Sequence, residues 1–418
     1  MRILKLTPAV EKKLLRARQE HDREAAGVAA EIIADVRKRG DAALIDYAAR
    51  FDRLNLRREG IWISTKELRA ARKKVDADFL RAIEHASRNI RRVAEKQLPQ
   101  PWTLEVEPGV KISQRVSAIE SIGCYIPGGH FALISTLLMT AIPAQVAGVP
   151  RIEVVCPHPN DKLLAAADFL GIRRIARIGG AQAIAALAYG TRSVPRVEKI
   201  FGPGNSFVTA AKHLVSADCA IDLPAGPTEA IVLAESGNAR WIAADLLAQA
   251  EHARDAGSFF ITTSVELARE VQREVQRQLD ELPIAAMFAK VSTQLVGRIL
   301  IAPSLTAGCE FVNRFAPEHL SLPEKGDALL KQIRSCGTVF LGPWGAQPLG
   351  DYASGSNHVL PTGGWARKRG GLSTSDFVKC LTVQSIAKYG FQRLADSVES
   401  MATAEGLFAH RNAVRIRR

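Results

Sequence analysis

Arg174-Ile-Ala-Arg-Ile-Gly-Gly-Ala-Gln182 and Lys199-Ile-Phe-Gly-Pro-Gly-Asn205 carry the reading of the fold. Each is a short apolar strand that breaks at glycine and hands over to a helix-forming run. The same unit stands upstream, where Ser121-Ile-Gly-Cys-Tyr-Ile126 ends at Pro127-Gly-Gly129 and an apolar helical run follows to Val149. Arg151 to Cys156, ended by Pro157, and Ala220 to Leu223, running into Pro224-Ala-Gly-Pro-Thr228, extend the series. Strands joined through helices run parallel, because a crossover rather than a hairpin connects them. Such sheets take their ligands at the carboxyl ends of the strands.

Downstream the alternation continues. Asn238 to His252 reads as a helix, and Ser258 to Thr263, Ile299 to Ala302 and Thr338 to Leu341 as strands. Tyr352 to Gly371, rich in Gly, Ser, Asn and Pro, reads as loop, and from Asp376 onward the chain reads as helix. Upstream, the first ~110 residues read as helical. Ala29, Ile32, Ile33, Val36, Ala43 and Leu44 recur at three-to-four spacing, with Gly40-Asp41 as a break. Asp78 to Gln97 is a second amphipathic helix, stopped by Pro99 and Pro101. The expected fold class is α/β: two Rossmann-like α/β domains, a helical N-terminal segment and a small C-terminal helical extension. The expected boundaries are an arm over 1–22, a first α/β domain from 23–120 and 228–371, a nucleotide-binding-like domain over 121–227, and a tail over 372–418.

The chain has 418 residues, 47% of them hydrophobic, so it can bury real cores. No apolar run approaches the ~20 residues of a membrane helix, and Met1-Arg-Ile-Leu-Lys5 opens no signal peptide. The six cysteines include no CxxC pair, which fits a reducing, cytoplasmic compartment. The net charge of +13 is spread over Lys12–Arg18, Arg57-Arg58, Arg69–Lys74, Arg88–Arg92 and Arg411–Arg418. These runs read as solvated helix faces, and with aromatics at 6% no nucleic-acid partner is expected.

Four constellations could carry chemistry. In Asp245-Leu-Leu-Ala-Gln-Ala-Glu-His252, Gln249 and His252 share a helix face and could offer oxygen and nitrogen to a divalent metal. Taken alone, a surface glutamine and a capping histidine explain them better. In Ala316-Pro-Glu-His-Leu320, Glu318 and His319 could be an acid–base pair, or Pro317-Glu318 could simply start a helix. Gly350-Asp-Tyr-Ala-Ser-Gly-Ser-Asn-His-Val-Leu-Pro361 is a polar run presenting Asp351 and His358. In the tail, Glu405 and His410 are five apart, a spacing that one regular helix does not align. There is no G-x-G-x-x-G, Walker A, HExxH or paired CxxC motif.

In order and spacing, these blocks resemble the histidinol dehydrogenase family over almost the whole chain. The resemblance implies a zinc-dependent oxidoreductase of histidine biosynthesis that takes L-histidinol to L-histidine through L-histidinaldehyde with two NAD+. It places one Zn2+ per chain on Gln249, His252, Asp351 and His410, and the acid–base pair on Glu318 and His319. It places NAD contacts on Tyr125, Gln182 and Asn205. Substrate contacts fall on Thr228, His358 and Glu405, together with Gln249, His252, His319, Asp351 and His410. It also implies a homodimer in which each tail, with Glu405 and His410, completes the partner's site. One stretch, His130-Phe-Ala-Leu-Ile-Ser135, departs from the family's usual Thr- and Pro-containing loop. Alternatives are a related NAD-dependent dehydrogenase acting on another polyol, such as a sulfonated propanediol, and a basic nucleic-acid-binding protein.

Overall fold

The computed structural model describes residues 1–17, 23–128, 133–223, 226–283 and 287–418. The described residues form fourteen strands in three sheets. In chain order these are β1 (Arg2–Lys5), β2 (Trp102–Glu107), β3 (Val110–Ala118), β4 (Ser121–Tyr125), β5 (Arg151–Val155), β6 (Ile175–Ala176) and β7 (Lys199–Phe201). Then follow β8 (Ala220–Ile221), β9 (Glu229–Leu233), β10 (Gly257–Thr262), β11 (Arg298–Ile301), β12 (His319–Leu322), β13 (Thr338–Leu341) and β14 (Val378–Ile386).

Five strands stand in the order β6-β5-β4-β7-β8 and six in the order β1-β11-β10-β9-β12-β13. Every pairing in both sheets is parallel. In each, the earliest strand of the alternating run (β4 or β9) sits in the middle. The next two build outward on one side and the following two on the other. That is the doubly wound order, which opens a crevice at the carboxyl edge where the winding reverses. Only residues 222–228 separate β8 from β9. The carboxyl edge of the five-stranded sheet therefore meets the amino edge of the six-stranded one.

Local signals fix the helices that cover the sheets. The Asp76 side chain accepts from Phe79 N at 2.6 Å and starts the helix Ala77–Gln97. Ser64 and Glu67 form a reciprocal capping box for the helix Thr65–Arg72. The helices Ile134–Ala147 and Gly180–Tyr189 are buried over most of their length, as their all-round apolar character requires.

Five expectations are corrected. The helices between residues 23 and 97 were expected with 228–371, but they pack on the five-stranded sheet. Ala29, Ile32, Val36 and Leu44 share a cluster with Val155, Ile184 and Ile200, and Ile83 and Ile90 share one with Ile122 and Leu137. An apolar stripe tells a helix to pack without saying on which sheet. Arg2–Lys5, read as part of an arm, is an edge strand with Ile3 opposite Ile299. Trp102–Ala118 is a hairpin, and Val378–Ile386, read as helix, pairs antiparallel with β3 along its length. β2 and β14 are almost wholly exposed, so no one-sided apolar alternation marks them as strands. His319–Leu322 is a strand, where a helix start had been the simpler reading. No described helix is long and apolar enough to cross a membrane.

Candidate active site

The carboxyl edge of the five-stranded sheet gathers the residues expected at the dinucleotide. Tyr125 ends β4 and its buried hydroxyl accepts from Gly180 N at 3.1 Å. Burial pushes its pKa up to about 12, so it stays a neutral phenol. Gln182, in the first turn of the helix after β6, is 1% exposed, and its Nε2 donates to Asp52 Oδ2 at 3.4 Å. Asn205 caps the helix Ser206–Val215, accepting from Val208 N at 3.1 Å. The turn after β7 requires Gly202, whose φ is +113° and where a Cβ would collide with the Tyr125 carbonyl. Asp222 accepts from Gly202 N at 2.7 Å, and Lys212 pairs with Asp222 while donating to Gly202 O at 2.8 Å. Both charges of this pair are buried, which fixes the turn.

Across the gap stands the amino edge of the other sheet. Thr228 immediately precedes β9 and Glu318 immediately precedes β12, which His319 opens opposite Ala230. Parallel pairing therefore sets these residues side by side. Glu318 Oε2 accepts from the Thr228 hydroxyl and from Glu229 N, the latter at 3.1 Å. Thr228 Oγ1 accepts from Gln249 Nε2 at 2.8 Å, and Gln249 Oε1 accepts from Gln347 Nε2 at 2.5 Å. Gln347 opens the short helix Gln347–Tyr352, and one turn later Asp351 places Oδ1 3.5 Å from His319 Nε2. His358 Nδ1 donates to the Asp351 carbonyl at 2.9 Å, which leaves Nε2, 3.2 Å from Thr136 Oγ1, as an acceptor in the neutral ring.

The electrostatics separate the two histidines. Burial alone would lower the His319 pKa, but the Glu318 charge and the contact with Asp351 outweigh it and hold it above the ordinary histidine value. Burial lowers His358, which stays neutral. Burial would raise Asp351, but His319 and the charges of His358 and His252 outweigh it and keep that carboxyl below its usual range. A base able to take a proton, a carboxylate beside it and a neutral imidazole together suit proton abstraction from a polar substrate.

His252 lies just beyond the last turn of the helix Ala239–Ala250, exposed, where its charge reaches Asp351 and His358. Gln249 is fully buried. Gln249, His252 and Asp351 carry an amide oxygen, an imidazole and a carboxylate, with the Gln249 oxygen accepting from Gln347. Those donor types are ones that zinc or a similar divalent ion accepts. Among the described residues no three His, Cys, Asp or Glu side chains form a metal-holding group within the chain. Glu405 and His410 are exposed on the helical pair Lys388–Ala404 and Phe408–Arg415. No described hydrogen bond or ion pair joins them to the other candidates.

The histidinol dehydrogenase family profile matches residues 15–418. The chain belongs to the histidinol dehydrogenase family. The histidinol dehydrogenase of Vibrio parahaemolyticus is 44% identical over 394 residues, covering 93% of this chain and 90% of that protein. That of Escherichia coli is 42% identical over 393 residues, with the same coverage. The crystal structure of histidinol dehydrogenase from Elizabethkingia anophelis superposes with a TM-score of 0.93 at 37% identity, covering 100% of this chain and 98% of that one. Family membership makes the chain an oxidoreductase.

For this histidinol dehydrogenase homologue, the structure gathers Thr228, Gln249, Glu318, His319, Asp351 and His358 into one bonded array, with His252 beside it. Tyr125, Gln182 and Asn205 stand along the facing edge, and Glu405 and His410 stand apart. The departure at His130–Ser135 falls partly on residues 130–132, outside the described residues. Sequence reasoning missed Gln347, Thr136 and the Lys212–Asp222 pair. Lys212, a charge within an apolar helical run, was the one legible signal. The six cysteines are free and four of them are buried; the Cys336 thiol donates to the Glu318 backbone carbonyl at 4.0 Å.

Proposed function

We propose that this protein oxidises L-histidinol to L-histidine through L-histidinaldehyde, using two NAD+ in turn and one zinc ion per chain. The observation that carries this reading is the Thr228–Glu318–His319–Asp351 array, set at the junction of the two sheets and facing Tyr125, Gln182 and Asn205. Gln249, His252 and Asp351 would hold the ion, with a fourth ligand from His410 of a partner subunit in a homodimer that exchanges tails. When bound, the ion would polarise the substrate's polar atoms and fix its carbinol near the base.

His319 takes the carbinol proton as one hydride leaves to NAD+, giving the aldehyde and NADH, and then releases that proton to solvent. Glu318, held by Thr228 and Glu229 N, then draws a proton from the water that adds to the aldehyde and returns it to the former carbonyl oxygen, giving the gem-diol. The gem-diol gives its hydride to the second NAD+ while His319 again takes the hydroxyl proton, leaving the carboxylic acid. His358 and Thr228 line the substrate, and the Glu405 carboxylate suits its ammonium group. A sulfonated polyol would bring an anion to that carboxylate and is not favoured. Free cysteines agree with the cytoplasm as its place of work.

The test is metal analysis of the purified protein together with NADH formation on L-histidinol. One zinc per chain and two NADH per histidinol are expected. Absence of histidinol-dependent NADH formation overturns the activity, and absence of a stoichiometric divalent ion overturns the metal site.

A further inference from the structure

The side chain of Asp52 lies at the carboxyl edge of the five-stranded sheet, yet it comes from outside that sheet. It closes the helix Asp41–Phe51 of the N-terminal segment. Its carboxylate is more than half buried and accepts from Gln182 Nε2 at 3.4 Å. The charge acting on it is that of His158, just beyond β5, and no described Lys or Arg forms an ion pair with it. Gln182 itself is buried, and its Oε1 has no hydrogen-bond partner. A buried amide tied on one side to a carboxylate and idle on the other is a polar cradle waiting for hydroxyl groups.

The position of this cradle in the sheet says which hydroxyls. The reacting end is at the β4, β7 and β8 side, where Thr136 bonds His358 and the chain runs on from Asp222 to Thr228 and Glu318. Asp52, His158 and Gln182 stand at the other side, beyond the ends of β5 and β6. From β7 to β6 is three strand spacings, about 14 Å, the reach of an extended dinucleotide lying across the edge. With the nicotinamide at Glu318 and His319, the adenosine half falls at β5 and β6. In doubly wound sheets that is where an acidic side chain meets the ribose diol and a basic one meets a 2′-phosphate.

We infer that Asp52, supported by Gln182, accepts the hydroxyls of the adenosine ribose and is the residue that selects NAD+ against NADP+. The inference rests on the NAD reading of the site above. A carboxylate at the ribose 2′ position offers two acceptors to a diol, and it repels a phosphate there, where no described Lys or Arg pairs with it.

The experiment is equilibrium titration of the full-length protein with NAD+ and with NADP+, followed by calorimetry, for the parent, Asp52→Asn and Asp52→Ser. The parent binds NAD+ at least about tenfold more tightly than NADP+, a gap of ~1.4 kcal/mol. In both variants NAD+ binding weakens, NADP+ binding strengthens, and the ratio shrinks by about tenfold or more. Asp52→Glu, which keeps the charge, retains a preference for NAD+. A ratio unchanged in both neutral variants, while the parent binds NAD+, overturns the role of Asp52 and leaves the NAD reading standing. A parent that binds neither dinucleotide overturns both.

Discussion

The Thr228 hydroxyl donates to Glu318 Oε2 and at the same time accepts from Gln249 Nε2 at 2.8 Å. One threonine thus ties an expected metal ligand to an expected acid–base group. Thr228→Val keeps the shape and removes both bonds. Gln249 Nε2 is then left buried without its acceptor, which costs about 1–3 kcal/mol. The expected outcome is a matching loss in urea stability and faster loss of zinc to a chelator than in the parent. Parent-like stability and metal retention would show that Thr228 only lines the site.

His319→Asn should lower turnover roughly 10²–10⁴-fold, the usual worth of a positioned acid–base group. Glu318→Gln should slow NADH formation from added histidinaldehyde more than the first oxidation of histidinol, because only the aldehyde step needs water to add. Single-turnover and steady-state assays separate the two. Equal, parent-like rates in both variants would mean that Glu318 and His319 lead into β12 and do nothing more.

The sequence showed less of this arrangement than the family resemblance did. Pro317-Glu318 resembles a helix start, but Ala316 takes a left-handed φ of +51° and the chain turns into β12, so that reading failed. His319 becomes a site residue only because β12 lies beside β9, a pairing between segments nearly ninety residues apart. Residues 174–205 read correctly because each strand and each glycine turn is local. Gln347 was invisible for the opposite reason. Its partner Gln249 is 98 positions away, and nothing in its own neighbourhood marks it as buried.

Asp245 gives a prediction about pH. It lines a cavity of about 210 Å³ with Trp241 and Glu324 at the carboxyl edge of the six-stranded sheet. Burial pushes its pKa up to about 6, opposed by a hydrogen bond from the Gln347 backbone. A carboxyl whose folded pKa is raised favours the folded state while protonated, and that contribution is lost as pH rises from about 4 through 6. A shift of about two pH units corresponds to ~1–3 kcal/mol. Asp245→Asn keeps an acceptor for the Gln347 N–H and cannot ionise. Its stability relative to the parent should therefore grow between pH 4 and pH 7. Melting curves at both pH values check this, and a constant difference would show that the carboxyl titrates as an ordinary exposed group.

The tail carries the last prediction. Helix Phe408–Arg415 has no buried residue, and Phe408 and Ile416 are 60% and 71% exposed. The sheet that leads to it, β14 with β3 and β2, exposes Leu381, Leu104 and Trp102. So much exposed apolar surface on the tail and the sheet that leads to it is what a segment that docks on a second copy would present. If His410 serves the partner's site, two separately inactive variants should rescue each other. His410→Ala lacks the donated ligand and His252→Ala lacks a receiving one. In a mixed dimer one site carries both lesions and the other neither. Random mixing puts about half of the dimers in that form, so about a quarter of all sites recover. Donation within one chain leaves every site with one lesion, and mixing then recovers nothing. The two proteins are refolded together, heterodimers are confirmed with two affinity tags, and histidinol-dependent NADH formation is measured. Activity near a quarter of the parent's supports exchange of the tails. Its absence in confirmed heterodimers returns His410 to its own chain or removes it from the ligand set.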